Sequence, residues 1–353
     1  MSILKKLLQY SVLCTICNVS LNALAHHGSV VNPNMYLAEN LIEVEGEIVD
    51  VFWRAPHPRY RMSVIDESGE EAIWELELNG SPITYSRLGL GSDDIVKVGE
   101  TIKAAGYVSK VDTSSMGVLH MLLTNGQEFV NGRTRELRWG NVRLTADTLD
   151  YDPIKIDAAK ETAEGLFRVW GPVRSAELTE ADYVHMFTDG GQQLASEYDP
   201  IADNFELDCR QGMPDTMFDR GAPMELTDLG DRILIHLEEY DIERIIHMNQ
   251  ENRRSFPAAS DLGFSMGHWQ GDDLIVETTG VDWPYYDEVG IPQSIEVSHH
   301  EQFSVSEDGN LLSYVLTITD PLVFSGPLVL ATSREWDPGR EVEEYGCTAT
   351  WEE

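Results

Sequence analysis

The stretch IEVSHHEQFSVSEDGNLLSYVLTITDP, residues 295–321, decides the fold class of the C-terminal half of this chain. Its two arms are rich in β-branched and aromatic residues and are typical of strands. The Asp and Gly of SEDGN between them favour a tight turn. The stretch therefore predicts two consecutive antiparallel strands.

Similar segments surround this stretch at regular spacing. Residues 231–249, DRILIHLEEYDIERIIHMN, predict a hairpin. The segments FSMGHWQGDDLIVETTGVD (264–282) and LVLATSREWDP (328–338) predict further strands. Consecutive antiparallel strands of this kind suit an up-and-down barrel or a sandwich.

The N-terminal half predicts a smaller β-structure. Five strand-like segments, LIEVEGEIVDVFW, RYRMSVID, EAIWELEL, ETIKAAGYVSKV and VLHMLLTNG, are separated by turn residues. The segment SPITYSRLGL, between the third and fourth, predicts a helix. Five strands with a helix before the fourth are similar to a small OB-like barrel. Further along, LTEADYVHMFTDGGQQLASEY predicts a helix that Thr179 caps.

The first 25 residues predict a secretory signal. Lys5 and Lys6 precede a short apolar run, and Ala23-Leu24-Ala25 has small residues where a signal peptidase reads the chain. Cleavage there leaves His26 as the new N-terminus. No stretch approaches the roughly 20 apolar residues of a spanning helix, so we expect a periplasmic or secreted protein with no membrane span.

The net charge and the cysteine count limit which binding partners and which covalent bonds we expect. The formal charge of −36 repels nucleic-acid phosphates and anionic lipids, so neither is an expected partner. Cleavage of the signal would leave two cysteines, Cys209 and Cys347. An oxidising compartment and an even count favour a disulfide between them over two buried thiols. The oligomeric state is not predicted.

Residues from His26 to about Gly132 resemble an uncharacterised family of small exported bacterial domains. Members begin A-H-H-S, carry N-P-H after the first strand, and have E-L-G-S-P before a short helix. The matching positions here are His26, His27, the APH that ends at His57, Glu77, and the GSP of residues 80–82. Ala55 replaces the Asn of N-P-H, and Asn79 interrupts the last motif.

The remainder resembles a lipocalin-like domain that is often joined to that family. The shared pieces are YDP, the Cys of DCRQGMP, GHWQGDDLIVETTG, VSHHEQF and the terminal Cys. Polar positions of the relatives are Phe264, Gln293 and Ile295 here. The resemblance thus implies a binding barrel rather than a catalytic one, and neither family brings a known activity.

These observations together predict an all-β protein of two domains. Residues 26–132 form an OB-like barrel, residues 133–164 a helical connector, and residues 165–353 a lipocalin-like antiparallel barrel. We expect the second barrel to enclose a mostly apolar cavity. Its aromatic residues either line that cavity or belong to the core, and they are Trp269, Trp283, Tyr285, Tyr286 and Phe303.

A cleaved N-terminus would make His26 a metal chelator. Its α-amine and imidazole bind one ion, and a second imidazole completes the three-nitrogen set known as a histidine brace. Copper favours such nitrogen sets, with zinc as the alternative. His57, between two prolines that fix its backbone, is the best second ligand, ahead of His120. Glu77 is an oxygen ligand or a partner of His57. Alternatively, His26 and His27 are only a polar tail, or they are metal ligands of an ordinary imidazole-and-carboxylate site with Glu77.

The second barrel offers a weaker pair. Because neighbouring strand residues point to opposite faces, at most one of His299 and His300 faces a cavity together with Glu301. We take His300 and Glu301 as candidate acid–base residues, against an ordinary half-buried strand. The common hydrolase, dehydrogenase and phosphate-loop motifs are absent. The sequence therefore predicts an exported copper-binding protein, or an enzyme or carrier for a small hydrophobic compound, and leaves open whether it is catalytic.

Overall fold

The computed structural model of the protein describes twelve stretches of the chain, which together hold two β-barrels. The predicted signal segment, residues 1–25, lies outside them. The described residues are 35–65, 68–110, 112–131, 136–140, 142–144, 152–173, 183–200, 202–203, 205–218, 222–249, 258–287 and 290–348.

Five strands form the first barrel, in the order that the sequence predicts. They are β1 (Tyr36–Phe52), β2 (Arg59–Ile65), β3 (Glu71–Glu77), β4 (Thr101–Ser109) and β5 (Ser115–Leu122). The long strand β1 pairs with both β2 and β4, and β3 pairs in parallel with β5. This last pairing closes the sheet and confirms the OB-like barrel. Two short strands, β6 (Gln127–Val130) and β7 (Val142–Arg143), extend the sheet beyond β5.

The core of this barrel follows the period of two along its strands. Tyr60 and Met62 of β2 are fully buried, and so is Leu76 of β3, while Glu75 and Glu77 between the core positions point outward. Burying each large apolar side chain stabilises the fold by about 1.5–3 kcal/mol. The alternation therefore leaves the polar side chains of β2 and β3 together on the outer face.

Short helices occupy the predicted place between β3 and β4. Helix α1 (Pro82–Ser86) begins after Ser81, whose hydroxyl accepts a hydrogen bond from the Thr84 amide at 3.4 Å. Helix α2 (Ser92–Ile95) follows it. In the connector, α3 (Pro153–Thr162) has no buried residue and lies on the surface.

Nine strands form the second barrel. They are β8 (Val169–Val173), β9 (Met224–Asp228), β10 (Arg232–Leu237), β11 (Ile242–His247), β12 (Phe264–Gln270), β13 (Asp273–Thr279), β14 (Ser298–Val305), β15 (Leu311–Thr319) and β16 (Leu328–Trp336). Each strand pairs with the next along the chain, and β16 pairs with β8 to close the barrel. The predicted antiparallel barrel is confirmed with one exception, because β11 and β12 run parallel. An odd number of strands cannot alternate in direction all the way round a closed barrel.

The two ends of this barrel differ. Tight turns at residues 229–231, 271–272 and 306–310 connect the strands at one end, which we call the turn end. Longer segments, 280–297 and 320–327, cross the other end, which we call the closed end. Val281, Trp283 and Phe324 of these segments are buried in the same core as the strands. Side chains of these segments therefore lie over the closed end.

Within the described residues 183–198, the predicted helix around residues 178–198 is interrupted. Thr179, its expected cap, lies outside the described residues. A single 3₁₀ turn spans Val184–Met186, and helix α4 (Asp189–Glu197) begins only after Thr188, whose hydroxyl accepts from the Gly191 amide at 3.0 Å. Phe187 separates them because it is extended and stacks on Phe324, with ring centroids 5.6 Å apart.

The C-terminal segment 338–348, which we call the strap, joins the two barrels. Cys347 is bonded to Cys209, with the sulfur atoms 2.05 Å apart, which supports the predicted pair. Cys347 also pairs with Ala55 of the first barrel, and the Thr348 amide donates to the Ala55 carbonyl at 3.1 Å. Among the described residues, none of the helices is both long and apolar enough for a membrane crossing.

An ion pair strengthens this junction. The guanidinium of Arg87, which follows α1, donates to both carboxylate oxygens of Glu238, at 2.6 and 2.5 Å. Glu238 is almost fully buried and also accepts from the Glu343 amide of the strap at 3.0 Å. A bidentate, charge-assisted contact of this kind fixes orientation as well as contributing energy.

Candidate functional site

The first candidate site lies on the outer face of the OB-like barrel. His57 follows β1, and Glu77 is the last residue of β3. The Nδ1 atom of His57 is 2.7 Å from Oε1 of Glu77, and their side chains are 19% and 23% exposed. Arg59 stands opposite Glu77 in the β2–β3 register. The pairing of β2 with β3 thus brings together two of the residues that the sequence proposes.

The surroundings of Glu77 favour its charged form. Burial is the largest single effect and raises the pKa of this carboxyl, but the hydrogen bond and charge of His57, the charge of Arg59 and a hydrogen bond from Tyr36 together outweigh it. The net effect lowers the pKa of Glu77. Burial, and then the charge of Glu77, raise the pKa of the Tyr36 hydroxyl well above its ordinary value. The Tyr36 hydroxyl therefore stays protonated and donates a hydrogen bond to the Glu77 carboxylate.

Among the other residues proposed for the metal site, the structure describes only His120, and it lies elsewhere. His26 and His27 lie outside the described residues. The Nδ1 atom of His120 is 2.7 Å from Oε1 of Glu128, a fully buried carboxylate. Backbone amides of residues 138–140 donate to Glu128 at 2.7–2.8 Å. His120 thus belongs to a separate buried network. Within the described ranges, no group of three or more His, Cys, Asp or Glu side chains is arranged to hold a metal.

The second candidate site lies inside the nine-stranded barrel. Arg244 of β11 donates to both carboxylate oxygens of Glu301 of β14, at 2.8 and 2.6 Å. Thr278 and Tyr314 donate to the same carboxylate at 2.8 and 2.9 Å, and Arg244 also donates to the Ser265 hydroxyl. All five side chains are buried. A charged pair and three hydroxyls thus occupy one part of an otherwise apolar barrel core.

The histidine that shares this interior is His299, not His300. Successive strand residues face opposite sides of the sheet, so His299 and Glu301 point inward. His300 is half exposed, and its Nδ1 atom is 2.6 Å from Oε1 of Glu277, which also faces solvent. The pairing of His300 with Glu301 is thus corrected: the candidate acid–base residues are on opposite faces of β14.

His299 is held in its neutral form. Burial lowers its pKa to about 4, and the nearby charge of Arg244 acts in the same direction, whereas Glu301 opposes it. For Glu301, burial is the largest single effect and acts to raise the pKa, but the charge and hydrogen bonds of Arg244, with smaller effects of His299 and Thr278, together outweigh it, so the pKa is lowered. The interior therefore contains a carboxylate, a guanidinium and a neutral imidazole.

A pH-dependent loss of stability follows for His299. The unfolded chain takes up a proton near pH 6.5, whereas the folded protein does so only near pH 4. The free energy of unfolding should therefore fall as the pH drops from about 6.5 to about 4, by up to about 3 kcal/mol. Urea denaturation at pH 7 and pH 4 checks this, since the loss should be smaller by that amount in His299→Leu. The exposed His300→Leu is the matched control, and equal losses in wild type and His299→Leu would contradict the assignment.

A small cavity opens at the turn end of the second barrel. Its volume is about 310 Å³. Trp269 is 44% exposed, and its ring meets Phe167 edge-on at 6.1 Å. The lining residues are Phe167, Asp228, Gly230, Ile233, Met248, His268 and Trp269. Of the predicted cavity aromatics, only Trp269 lines this space, because Trp283, Tyr286 and Phe303 are buried in the core and Tyr285 packs on Tyr198.

The three positions that depart from the resembled domain have different surroundings. Phe264 is partly buried and stacks on His247, with centroids 4.9 Å apart. The buried Gln293 donates from Nε2 to the carbonyls of Met213 and Trp283, both at 2.9 Å. Ile295 is largely exposed. Of the three, only Gln293 therefore supplies a buried polar group.

Sequence reasoning missed Arg244, Ser265, Thr278 and Tyr314. One signal was present, because Ile242, Arg244 and Ile246 alternate along β11 and place a charged residue on the apolar face. An inward-facing charge needs a buried partner. The partner, Glu301, is 57 residues away in the chain, so the pair itself was visible only in the folded barrel.

Comparison with known proteins reaches only the first barrel. Residues 14–118 match the profile of a family of unknown function, DUF6152. The matched segment is 105 of the 353 residues, and it includes His57 and Glu77. It agrees with the resemblance of the N-terminal half to an uncharacterised domain and does not extend to the second barrel. No curated protein matches the chain.

Proposed function

We propose that the protein is exported and binds a metal ion, copper ahead of zinc, at the outer face of the OB-like barrel. The observation that carries the proposal is the 2.7 Å contact between His57 Nδ1 and Glu77 Oε1. A carboxylate against one ring nitrogen fixes the tautomer and orientation of a histidine whose other nitrogen binds a metal. Glu77 then acts as the partner of His57 rather than as a ligand itself.

The position of Tyr36 supports the proposal that His26 is a metal ligand. Tyr36 is the first residue of β1 and hydrogen-bonds to Glu77, so the chain that leads to the N-terminus starts beside this site. Ten positions separate His26 from Tyr36. At about 3.3 Å per extended residue, such a segment spans up to about 33 Å. The length of chain therefore allows the α-amine and imidazole of His26 to meet His57.

The donor set decides the metal. An α-amine and two imidazoles give three neutral nitrogens, which Cu(II) binds more tightly than other divalent first-row ions. Carboxylates with imidazoles, by contrast, also suit zinc. Copper is therefore proposed for the N-terminal chelate, and zinc for a site that uses Glu77 as a ligand.

The test depends on the N-terminus. We expect the mass of the exported protein to show cleavage after Ala25. One extra Gly before His26 converts the amine to an amide, and we expect it to weaken Cu(II) binding severely while the fold is kept. His57→Ala should also weaken binding, and Glu77→Gln should do so by about 10–100-fold. Competition titration and electron paramagnetic resonance measure both effects.

Two controls make the result decisive. His27→Ala should change little, because its ring is not needed for the chelate, and His300→Ala removes an exposed histidine of the other barrel. Copper affinity that is equal in the extended and the mature protein would refute the brace. A mature chain that starts elsewhere than His26 would refute it as well.

A second candidate function concerns the cavity at the turn end of the second barrel. Phe167, Ile233, Met248 and Trp269 give it apolar walls, and its volume of about 310 Å³ is at the small end of ligand sites. These features favour binding or transport of a small hydrophobic compound, with or without a reaction.

A neutral fluorescent probe checks this function. N-phenyl-1-naphthylamine should bind to the folded protein and quench the fluorescence of Trp269. Trp269→Ala should weaken binding by about tenfold or more, since a stacked aromatic wall is lost. Val329→Ala, a change at an exposed apolar residue of β16, is the control. Equal binding by both variants would place the probe elsewhere and reject the proposal.

A further inference from the structure

The closed end of the nine-stranded barrel gathers buried polar atoms that have no hydrogen-bond partner. They are both ring nitrogens of His299, Nε1 of Trp283, the hydroxyl of Tyr286 and Oε1 of Gln293. Each of these residues is at least nine-tenths buried. Among the described residues, these are five of the seven buried side-chain atoms without a partner. Buried polar groups are normally paired, so such a concentration points to a ligand.

Backbone hydrogen bonds bring three of these residues into one compact loop. The Gln293 amide donates to the Pro284 carbonyl at 2.7 Å, and the Tyr286 amide donates to the Ile291 carbonyl at 2.7 Å. The side-chain amide of Gln293 also reaches the carbonyl of Trp283. His299, the second residue of β14, stands where this loop returns to the barrel, opposite Thr278 and Ile318.

The charged groups at this end already have partners. Arg244 and Glu301 are paired with each other. The carboxylate of Asp320 accepts from the Ser294 amide at 2.7 Å and from its hydroxyl at 2.8 Å. A charged ligand would therefore find no free counter-charge among these groups, and a low-dielectric interior disfavours an unpaired ion.

The unpaired atoms define what the ligand must offer. The indole of Trp283 only donates, and Oε1 of Gln293 only accepts. A neutral imidazole at His299 donates from one nitrogen and accepts at the other. Aromatic rings wall the site, because Phe205 meets Trp283 at 4.9 Å and Phe324 meets Tyr286 at 5.6 Å.

We propose that the closed end of the second barrel binds a small neutral molecule that both donates and accepts hydrogen bonds, such as a primary amide, between Trp283, Gln293 and His299. This site is separate from the metal site of the first barrel. It also lies at the opposite end of the barrel from the cavity that Trp269 lines.

Acetamide and benzamide are the probes. Each is added to the folded protein and, in a parallel sample, is present during refolding. The readout is the indole N–H signal of Trp283 in a ¹⁵N–¹H spectrum, assigned with Trp283→Phe. We expect at least one amide to shift this signal with saturation, whereas benzoate, which is charged, and N,N-dimethylacetamide, which has no donor, should not.

Variants on the two faces of β14 complete the test. His299→Leu removes two unpaired polar atoms, so it should keep the fold and weaken amide binding by about tenfold or more. His300→Leu, which changes the outer face, should bind like the wild type. Failure of both amides to shift the Trp283 signal in either sample would overturn the proposal. So would equal affinity in His299→Leu, or a crystal structure with water alone at these atoms in the presence of the amides.

Discussion

Replacing Glu301 with glutamine is expected to lower the free energy of unfolding by about 3–5 kcal/mol. The change removes the negative charge that two guanidinium nitrogens of Arg244 contact, at 2.8 and 2.6 Å. Both side chains are buried. Water cannot replace the lost partner inside the barrel, so Arg244 keeps an uncompensated charge. Urea denaturation followed by circular dichroism measures the loss.

The neighbouring strand offers a matched control. Glu277 of β13 also contacts a basic side chain, that of His300, but both side chains are about half exposed. Glu277→Gln should therefore cost less than about 1 kcal/mol. The double variant Arg244→Met/Glu301→Gln should recover part of the loss, because no charge is left buried. A double variant that is less stable than Glu301→Gln would show that the hydrogen bonds, and not the uncompensated charge, dominate.

Removing the disulfide is expected to have an effect of the same size. Cys209 and Cys347 are 138 residues apart, and closing so long a loop restricts the unfolded chain by about 5 kcal/mol in the chain-entropy model. The double variant Cys209→Ser/Cys347→Ser should therefore lose about 4–5 kcal/mol, with strain as the main reason for a smaller value. Denaturation of the oxidised protein and of the double variant gives the difference.

The same variant should loosen the strap. The strap holds Ala55 through Cys347 and Thr348, and it holds Asp241 through the amides of Tyr345 and Gly346, at 2.7 and 3.1 Å. Without the disulfide, the amides of Tyr345 and Gly346 should exchange their hydrogens faster. Amides inside β4 should keep their protection once the lower global stability of the variant is taken into account. A stability change below about 1 kcal/mol, or two free thiols in wild-type protein purified without reductant, would contradict the role of the disulfide.

Local sequence patterns were enough to predict the individual strands, the turns between them and the helix start. The alternation in residues 295–321 and the Asp–Gly turn within them predict the β14–β15 hairpin, which the structure contains in full register from Ser298 to Val305. Similarly, the five strands and the helix start at Ser81 follow from residue preferences within each segment. The strand period and the residue preferences of turns act over a few residues, so they can be predicted from one sequence without knowledge of tertiary contacts.

Closure and the composition of the interior depended on distant residues. The parallel pairing of β3 with β5, the parity that makes β11 and β12 parallel, and the meeting of Arg244 with Glu301 all join segments far apart in the chain. No local pattern predicts which strand edge another strand will meet. The break in the expected helix between Met186 and Asp189 has the same cause, because the contact of Phe187 with Phe324 extends the chain there.

For the candidate sites, the sequence by itself determined which chemistry is available. It offered His57 and Glu77 as candidates for the proposed metal site, and it showed that only one of His299 and His300 can face inward with Glu301. Only the tertiary structure decided the rest: that β2–β3 pairing sets His57 2.7 Å from Glu77, and that His299 is the inward residue. The reason is physical, since a strand's period fixes which residues share a face, whereas the barrel that closes around them fixes which face is inside.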